Sequence, residues 1–251
     1  MSGHSKWATI KHKKGATDAK RGKLFTKVIK ELTVATRVGG GGDPNHNPRL
    51  RKAIADAKAS QMPADTIKRA VLRGSGDMEG ANYDEVVYEG TGPGGTLFLV
   101  EAMTDNRNRT VSDLRKVFDK HGGVLGSSGT ANWAFDRKGV IAIDKTALSE
   151  DEIMDKAIGG GAEDYTDAGD EWIVTTAPDQ LMAVVDKLEG QKIPSKSSSL
   201  MFLPKGRKTV AGRDAELAIA LTEALDDNDD VQNVFADFEL TDEELARLAE
   251  A

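Results

Sequence analysis

The sequence predicts an α+β protein in which an N-terminal helical domain is followed by two ferredoxin-like α/β domains, one inserted in the other. Three observations support this class. Apolar residues recur at helical spacing within residues 1–76. Residues 138–204 carry strand and helix patterns in the order β-α-β-β-α-β, which is typical of a ferredoxin-like unit. The final segment, residues 205–251, supplies a helix and a strand that residues 80–137 lack.

The N-terminal domain, residues 1–76, begins with a lysine-rich arm and continues as helices. Apolar side chains from Leu24 to Ala35 recur every three or four residues, which predicts an amphipathic helix that ends at Val38 before a run of glycines. The opposite arc of this helix carries a row of ammonium groups, which we expect to face away from the packed side: Lys20, Lys23, Lys27 and Lys30. A second helix is predicted around Leu50–Lys58, and a third begins near Pro63.

Residues 80–137 and 205–251 are predicted to form one discontinuous α/β domain. Its first two strands, Asp84–Glu89 and Thr96–Met103, are joined by a glycine-rich turn. A helix with a capping-box start at Thr110 follows. The remaining elements predicted for this domain are a strand near Trp133–Phe135, a helix at Ala215–Leu225, a strand at Val234–Leu240 and a terminal helix after Thr241.

The inserted domain, residues 138–204, contains four predicted strands and two predicted helices. Ser149 and Glu152 form a capping box for the first helix, and Pro178 opens the second. The strands are predicted at Val140–Ile143, Glu163–Thr166, Glu171–Thr176 and Ser198–Leu203.

The composition excludes several classes of protein. The 251 residues include no cysteine, which excludes disulfides and thiolate chemistry. No stretch approaches the 18 apolar residues of a membrane span, and residues 1–14 lack the apolar core of a signal peptide. We therefore expect a cytoplasmic protein without a membrane partner.

Charge is divided unevenly along the chain. Residues 1–73 hold 17 Lys and Arg against 5 Asp and Glu, out of 34 basic and 41 acidic residues in all. The net charge of −7 therefore combines a basic front segment with a strongly acidic remainder. Such a division predicts a basic module that meets polyanions and an acidic body that repels them.

Signals of catalysis and metal binding are weak, so we predict no catalytic residue, metal or cofactor. The glycines at 90–95 join two strands and lack the Lys-Ser/Thr ending of a phosphate-binding loop. No two histidines have the helical spacing of a zinc site. The acidic run Asp226–Asp230 lacks the glycine and terminal glutamate of a calcium loop, and we interpret it as a solvated turn.

The strongest positive signal is for nucleic-acid binding. Lysines at this density neutralise phosphates and release counterions. Trp7 lies between Lys6 and Lys11 in sequence. Its side chain either stacks on an unpaired base or packs the arm against the helices. The predicted contact residues of this segment are Lys6, Trp7, Lys11, His12, Lys13, Lys14, Lys20, Arg21, Lys23, Lys27 and Lys30.

A second basic spot is the segment Asn106-Arg107-Asn108-Arg109, just before the predicted helix at Thr110. Arg107 and Arg109 are candidates to contact phosphates or base edges. The alternative interpretation is that this segment caps the helix and forms hydrogen bonds between domains.

Several segments together resemble the YebC family, which includes the mitochondrial translational activator of cytochrome oxidase subunit one. The resemblance spans essentially the whole chain. It rests on the run Gly3–Lys14, the run Asp18–Phe25, and the internal segments at residues 92–95, 104–110 and 120–123. It implies three domains, one helical and two α/β, and a probable transcriptional regulator that binds DNA. Some members are linked instead to translation at the ribosome, and no catalytic activity or cofactor is attached to the family.

The sequence therefore leaves three candidate functions. The first is a non-enzymatic regulator of transcription that binds DNA through the basic N-terminal domain. The second is a translation factor that docks on ribosomal RNA and relieves stalled, proline-rich synthesis; lysine-rich arms suit folded RNA, where shape and backbone dominate. The third is a small-molecule enzyme that uses the cleft between the α/β domains. Oligomeric state is not predicted.

Overall fold

The computed structural model describes residues 18–250, with side chains described for residues 22–248. Three helices come first, α1 (Asp18–Val38), α2 (Pro48–Ala59) and α3 (Ala64–Ser75). Both α2 and α3 pack against α1. The three helices share an apolar core: Leu32, Ala35, Leu50, Ala53, Ala57, Met62, Ile67 and Ala70.

Helices α1 and α3 approach each other closely at Gly74. A Cβ on this residue would lie 2.4 Å from the carbonyl oxygen of Thr33, so only glycine fits the contact. The sequence Gly74-Ser75-Gly76 is typical of a linker, but α3 continues through Ser75. It ends at Gly76, whose φ of 85° is the left-handed conformation that glycine adopts readily.

A first four-stranded sheet follows the helices, with strand order β3-β1-β2-β9. Strands β1 and β2 form a central antiparallel hairpin. Phe118, on the helix between β2 and β3, meets Phe98 of β2 edge to face, with 6.0 Å between ring centroids. The strands of this sheet are β1 (Asp84–Thr91), β2 (Leu97–Thr104), β3 (Val124–Leu125) and β9 (Val231–Ala236), and its helices are α4 (Arg107–Lys120) and α7 (Gly212–Asp226).

A second four-stranded sheet has the order β5-β6-β4-β7, with antiparallel pairing throughout. This is the ferredoxin-like arrangement, and its first helix begins with the predicted capping box of Ser149 and Glu152. A one-turn π-helical segment continues that helix. The elements are β4 (Phe135–Asp144), α5 (Glu150–Ile153), β5 (Asp164–Asp167), β6 (Glu171–Thr176), α6 (Leu181–Gly190) and β7 (Ser195–Pro204).

Three short elements complete the described chain. Strands β8 (Lys208–Val210) and β10 (Phe238–Leu240) form a two-stranded parallel sheet, and α8 (Asp242–Glu250) follows them. The single strand predicted at Val234–Leu240 is thus two strands in different sheets, separated at Asp237.

Two other predicted elements differ in the structure. The strand predicted near Trp133–Phe135 is not a separate strand of the first sheet, because Asn132–Ala134 form a 3-10 turn and Phe135 is the first residue of β4 in the second sheet. The helix predicted to open at Pro178 begins at Leu181.

The α+β class is confirmed, with N-terminal helices followed by two sheet units, one of which interrupts the other. Contacts divide the described chain into two compact units. One comprises residues 18–130 and Glu216–Val234; the other comprises Ala131–Ala215 and residues 235–250. The domain boundaries at residues 76, 138 and 204 stay predictions.

Candidate nucleic-acid interface

The predicted contact residues fall into three groups in the structure. Residues 20 and 21 lie in the first turn of α1, and their side chains are outside the described part. Five predicted side chains are described: Lys23, Lys27, Lys30, Arg107 and Arg109. The predicted contacts that precede the described residues are Lys6, Trp7, Lys11, His12, Lys13 and Lys14.

The three described lysines of α1 bind the acidic turn after α7. Lys23 pairs with Asp227, with 2.6 Å between the ammonium nitrogen and the carboxylate oxygen. Lys27 pairs with Asp226 at 2.9 Å. Because Lys23 and Lys27 are four residues apart on one face of the helix, they can pair with the adjacent residues Asp227 and Asp226.

Each lysine also donates a hydrogen bond to a main-chain carbonyl of that turn. The ammonium of Lys27 lies 2.9 Å from the carbonyl oxygen of Asp226, and that of Lys23 lies 3.0 Å from the carbonyl oxygen of Asp227. These carbonyls end helix α7, where the helix dipole favours positive charge. The lysine row therefore stabilises the end of α7 as well as neutralising the turn.

Lys30 is buried, with 6 % of its surface exposed, and it forms an ion pair with the equally buried carboxylate of Asp230. Its ammonium lies 2.7 Å from Asp230 and also donates to the carbonyl oxygens of Met103 and Asp229. All three donor positions of the ammonium are thus used within the protein. A phosphate cannot reach Lys30 unless this contact opens.

Asp230 is the centre of the network. Besides Lys30, it accepts hydrogen bonds from Arg109 at 2.9 Å and from the Thr110 hydroxyl at 2.8 Å. Burial disfavours the charged carboxylate, but the hydrogen bonds from Lys30, Arg109 and Thr110 outweigh it, so the pKa of Asp230 is lowered. The carboxylate stays ionised and holds α1, β9 and α4 together.

Two expectations from the sequence are corrected by these contacts. The lysine row of α1 does not face solvent as a whole, since Lys30 is buried and Lys23 and Lys27 are ion-paired. The acidic run at residues 226–230 is not simply a solvated turn, because Asp230 is buried. The physical reason is that the two oppositely charged segments, about 200 residues apart in sequence, neutralise each other in the fold.

The arginines of the second basic spot lie inside α4 rather than before it. The helix begins at Arg107, because the Asn106 side chain caps it by accepting from the Arg109 main-chain N–H at 3.0 Å. The predicted start at Thr110 was therefore one turn late. Arg107 pairs with Asp84 at 2.8 Å, and Arg109 pairs with Asp105 as well as Asp230. The hydrogen bonds that Arg109 donates to Asp230 and Asp105 raise its pKa.

Other cations of the helical region are exposed and were not singled out from the sequence. Arg51 and Lys58 lie two turns apart on α2, and Lys68 lies on α3. Their side chains form no hydrogen bond or ion pair with the described part of the chain. By contrast, Arg49 is bound by Glu31 and Glu85, which raises its pKa. A tally of local charge along α2 and α3 would have found this surface.

Comparison with known proteins identifies the family. Residues 5–77 match the description "TACO1/YebC protein N-terminal domain", and residues 83–238 match "TACO1/YebC second and third domain". The chain belongs to the TACO1/YebC family. The resemblance drawn from the N-terminal run and the internal segments is thereby confirmed.

Members of the TACO1/YebC family match this chain over its full length. A probable transcriptional regulatory protein of Geobacter sp. strain M21 is 49 % identical over 99 % of this chain and all of its own. One from Desulfotalea psychrophila is 51 % identical over the whole of both chains. Among solved structures, a conserved hypothetical protein of Aquifex aeolicus, Aq1575, matches with a TM-score of 0.82 and 45 % identity, covering 90 % of this chain and 93 % of its own.

Two further findings on the described residues concern metal sites and membrane-spanning helices. No group of three or more His, Asp and Glu residues among them is placed to hold a metal ion. None of the helices in this part of the chain is long and apolar enough to cross a membrane.

Proposed function

We propose that this protein is a non-enzymatic, cytoplasmic regulator of transcription that binds DNA through its basic N-terminal domain. The observation that carries the proposal is the separation of charge: 17 basic and 5 acidic residues in residues 1–73, against 36 of the 41 acidic residues beyond them. A polyanion is attracted to the first segment and repelled by the second. The names of the Geobacter and Desulfotalea relatives, probable transcriptional regulatory proteins, support a regulatory role.

The ion pairs of α1 and α4 divide the proposed contact residues into two sets. Lys23, Lys27, Lys30, Arg107 and Arg109 already bind carboxylates of the protein, so we assign them to holding the fold together. The phosphate contacts then fall to the residues upstream: Lys6, Lys11, Lys13, Lys14, Lys20 and Arg21. Trp7 and His12 lie among them in sequence and are proposed to contact bases. Arg51, Lys58 and Lys68 extend this basic surface onto α2 and α3.

A second candidate function is a translation factor that binds ribosomal RNA. One observation favours it: the arginines of α4, the most promising base-reading residues of the described part, are both held by carboxylates. Base-specific recognition of duplex DNA needs free side chains on an element that enters a groove. Recognition of folded RNA by backbone and shape does not.

The first experiment measures how salt weakens binding. Replacing Lys11, Lys13 and Lys14 with alanine removes three phosphate contacts, so the slope of log affinity against log salt on duplex DNA should fall by about 0.9 for each contact. The control replaces three exposed lysines of the sheet units, Lys116, Lys120 and Lys192, which makes the same change in net charge. An equal slope for the two variants would show that the arm does not contact phosphates.

The second experiment chooses between the two targets. Ribosomes, duplex DNA of mixed sequence and a candidate promoter compete for the full chain at one salt concentration. Preference for the promoter over mixed duplex supports regulation of transcription, whereas co-sedimentation with ribosomes supports the translation factor. Binding to none of them at low salt contradicts both.

A further inference from the structure

Two of the ion pairs between α1 and the acidic turn after α7 can be reached by water. The side chains of Lys23 and Asp227 are 39 % and 67 % exposed, and those of Lys27 and Asp226 are 16 % and 40 % exposed. The third lysine of the row, Lys30, is buried with its partner. Ion pairs in contact with solvent contribute little to stability, so the first two can exchange partners at small cost, whereas the third cannot.

The oxygen atoms that these two lysines meet resemble two consecutive phosphates in number and charge. The ammonium of Lys23 contacts a carboxylate oxygen and the carbonyl oxygen of Asp227, at 2.6 and 3.0 Å. The ammonium of Lys27 contacts the same two kinds of oxygen on Asp226, both at 2.9 Å. Each aspartate carries one negative charge, as each phosphodiester does. The lysines are about 6 Å apart along the helix axis, so the turn presents the two groups in succession.

The two carboxylates lie where the helix itself disfavours negative charge. Asp226 is the last residue of α7, and Asp227 follows it directly. The C-terminal end of a helix carries a partial negative charge, so a carboxylate there is unfavourable for the helix alone. The lysines of α1 offset this repulsion in the folded protein. The carboxylates are therefore not required to end α7, and what they contribute is their contact with Lys23 and Lys27.

The turn has other contacts that fix its shape. The main-chain N–H of Asp227 donates to the Glu223 carbonyl oxygen at 2.9 Å, and that of Asn228 donates to the Leu225 carbonyl oxygen at 3.1 Å. Asp230, at the end of the turn, is held in the buried network of the first sheet. Release of the two solvent-accessible lysines therefore leaves the turn and the fold in place.

The two lysines also continue the row of cations to which phosphate binding is assigned. Lys20 and Arg21 lie one turn before them on α1, and the arm lysines precede those. A nucleic acid bound by the arm brings its next phosphates toward the acidic turn, whose carboxylates repel them. The contact can extend along α1 only if Asp226 and Asp227 give up their lysines.

We propose that Lys23 and Lys27 form a latent phosphate-binding site, which Asp226 and Asp227 occupy in the free protein and the backbone of bound duplex DNA takes over. This inference rests on the proposed function, since it assumes that the basic N-terminal domain binds DNA. It adds that these two lysines hold the fold together only until a polyanion displaces the turn. A DNA already held by the arm supplies phosphates at high local concentration, whereas a single phosphate ion does not. The turn thus favours long nucleic acids over small anions.

The test removes the two carboxylates and measures binding of the full chain to labelled duplex DNA by fluorescence anisotropy at several salt concentrations. Asp226→Asn with Asp227→Asn releases both lysines, so affinity should rise on the order of tenfold. The slope of log affinity against log salt should steepen by about 0.9 for each lysine that gains a phosphate. Asp227→Asn alone alters the more exposed pair and should give about half of the change in slope.

The matched control is Glu223→Gln with Asp229→Asn. Both residues are exposed acids of the same segment, and the side chain of neither pairs with a lysine of the described chain. The control makes the same change in net charge and hence in long-range attraction for DNA. It releases no lysine, so its salt slope should stay close to that of the parent. Equal urea midpoints of the variants exclude loss of fold as the cause of any change.

A second measurement identifies the residues that gain the phosphates. Lys23→Gln with Lys27→Gln should cost more affinity in the double-asparagine background than in the parent protein. The reason is that each lysine of the parent must give up a carboxylate before it binds a phosphate, so the two substitutions are not additive. An equal cost in both backgrounds would show that these lysines do not exchange partners, and would overturn the proposal.

The outcomes separate this proposal from the proposed function. If the two charge variants tighten binding equally and neither changes the slope, the turn acts only through its overall charge and the latent site is wrong. The proposed function still stands in that case if the arm variant loses salt slope. If neither the parent nor any variant binds duplex DNA at low salt, the proposed function fails and the latent site fails with it.

Discussion

Replacing Asp230 with asparagine tests whether the buried network holds the helical region to the first sheet. The substitution keeps the shape of the side chain and leaves an oxygen to accept from Thr110, but it removes the charge that Lys30 and Arg109 bind. Lys30 stays 6 % exposed and loses its counter-ion. Removing one partner of a buried pair typically costs about 3–5 kcal/mol, and we expect the lower end because the hydrogen bond to Thr110 can remain.

The measurement is urea unfolding of the full chain, followed by circular dichroism. A loss of about 3 kcal/mol is a large fraction of the 5–15 kcal/mol that stabilises a typical domain, so the midpoint should shift clearly. The matched control is Asp229→Asn, because Asp229 is exposed and the contact it makes with Lys30 uses its main-chain carbonyl. That variant should differ from the parent by less than about 0.5 kcal/mol.

Two further results decide the interpretation. Adding Lys30→Met to Asp230→Asn should recover much of the lost stability, since an apolar side chain has no need of a counter-ion. Because the pKa of Asp230 is lowered in the folded state, its contribution is present above the pKa of an unfolded aspartate and is lost as pH falls through the folded value. Equal urea midpoints for the parent and Asp230→Asn would refute the assignment of the network as a structural tie.

Three smaller predictions concern other parts of the fold. Gly74→Ala should destabilise by about 1–3 kcal/mol in urea unfolding, because the new Cβ would meet the Thr33 carbonyl oxygen at 2.4 Å, whereas Gly22→Ala in α1 meets nothing and should be neutral or stabilising. Asn106→Ala removes the cap of α4 and should cost about 1 kcal/mol in the same assay. The hydrogen bonds of Thr146 and Lys196 lower the pKa of Asp144 to about 2, so its stabilising effect should be lost between about pH 4 and pH 2; Asp144→Asn should flatten acid unfolding of the parent over that range.

Local chemistry explains which elements the sequence could predict. The capping box at Ser149 and Glu152 was placed correctly because both partners are three residues apart. The start of α4 was predicted at Thr110 instead of Arg107 because both Asn106 and Thr110 have side chains that can cap a helix. Thr110 matches a capping pattern, but its hydroxyl binds Asp230, and Asn106 caps the helix instead. That choice depends on a residue 120 positions away.

Even less of the candidate interface could be predicted from the sequence, because its contacts involve distant residues. The basic character of the N-terminal segment and its family resemblance are readable from the printed residues. Which lysines remain available is not, because the partners of Lys23 and Lys27 lie about 200 residues later in the chain. The sequence did not predict the exposure of Trp133 either, since the pattern around it resembles a strand in which alternate residues are buried.

The amino-acid sequence by itself determined the α+β class, the order of helices and strands, the family and the opposite charges of the two ends, because each depends on spacing, composition or motifs along the chain. Only the tertiary structure decided that the acidic turn neutralises the lysines of α1, that Asp230 is buried among cations and that Trp133 faces solvent. Burial and long-range ion pairing depend on which distant segments meet. Local propensity carries no information about contacts between distant segments. Whether a charged side chain is free to bind a ligand therefore depends on the fold.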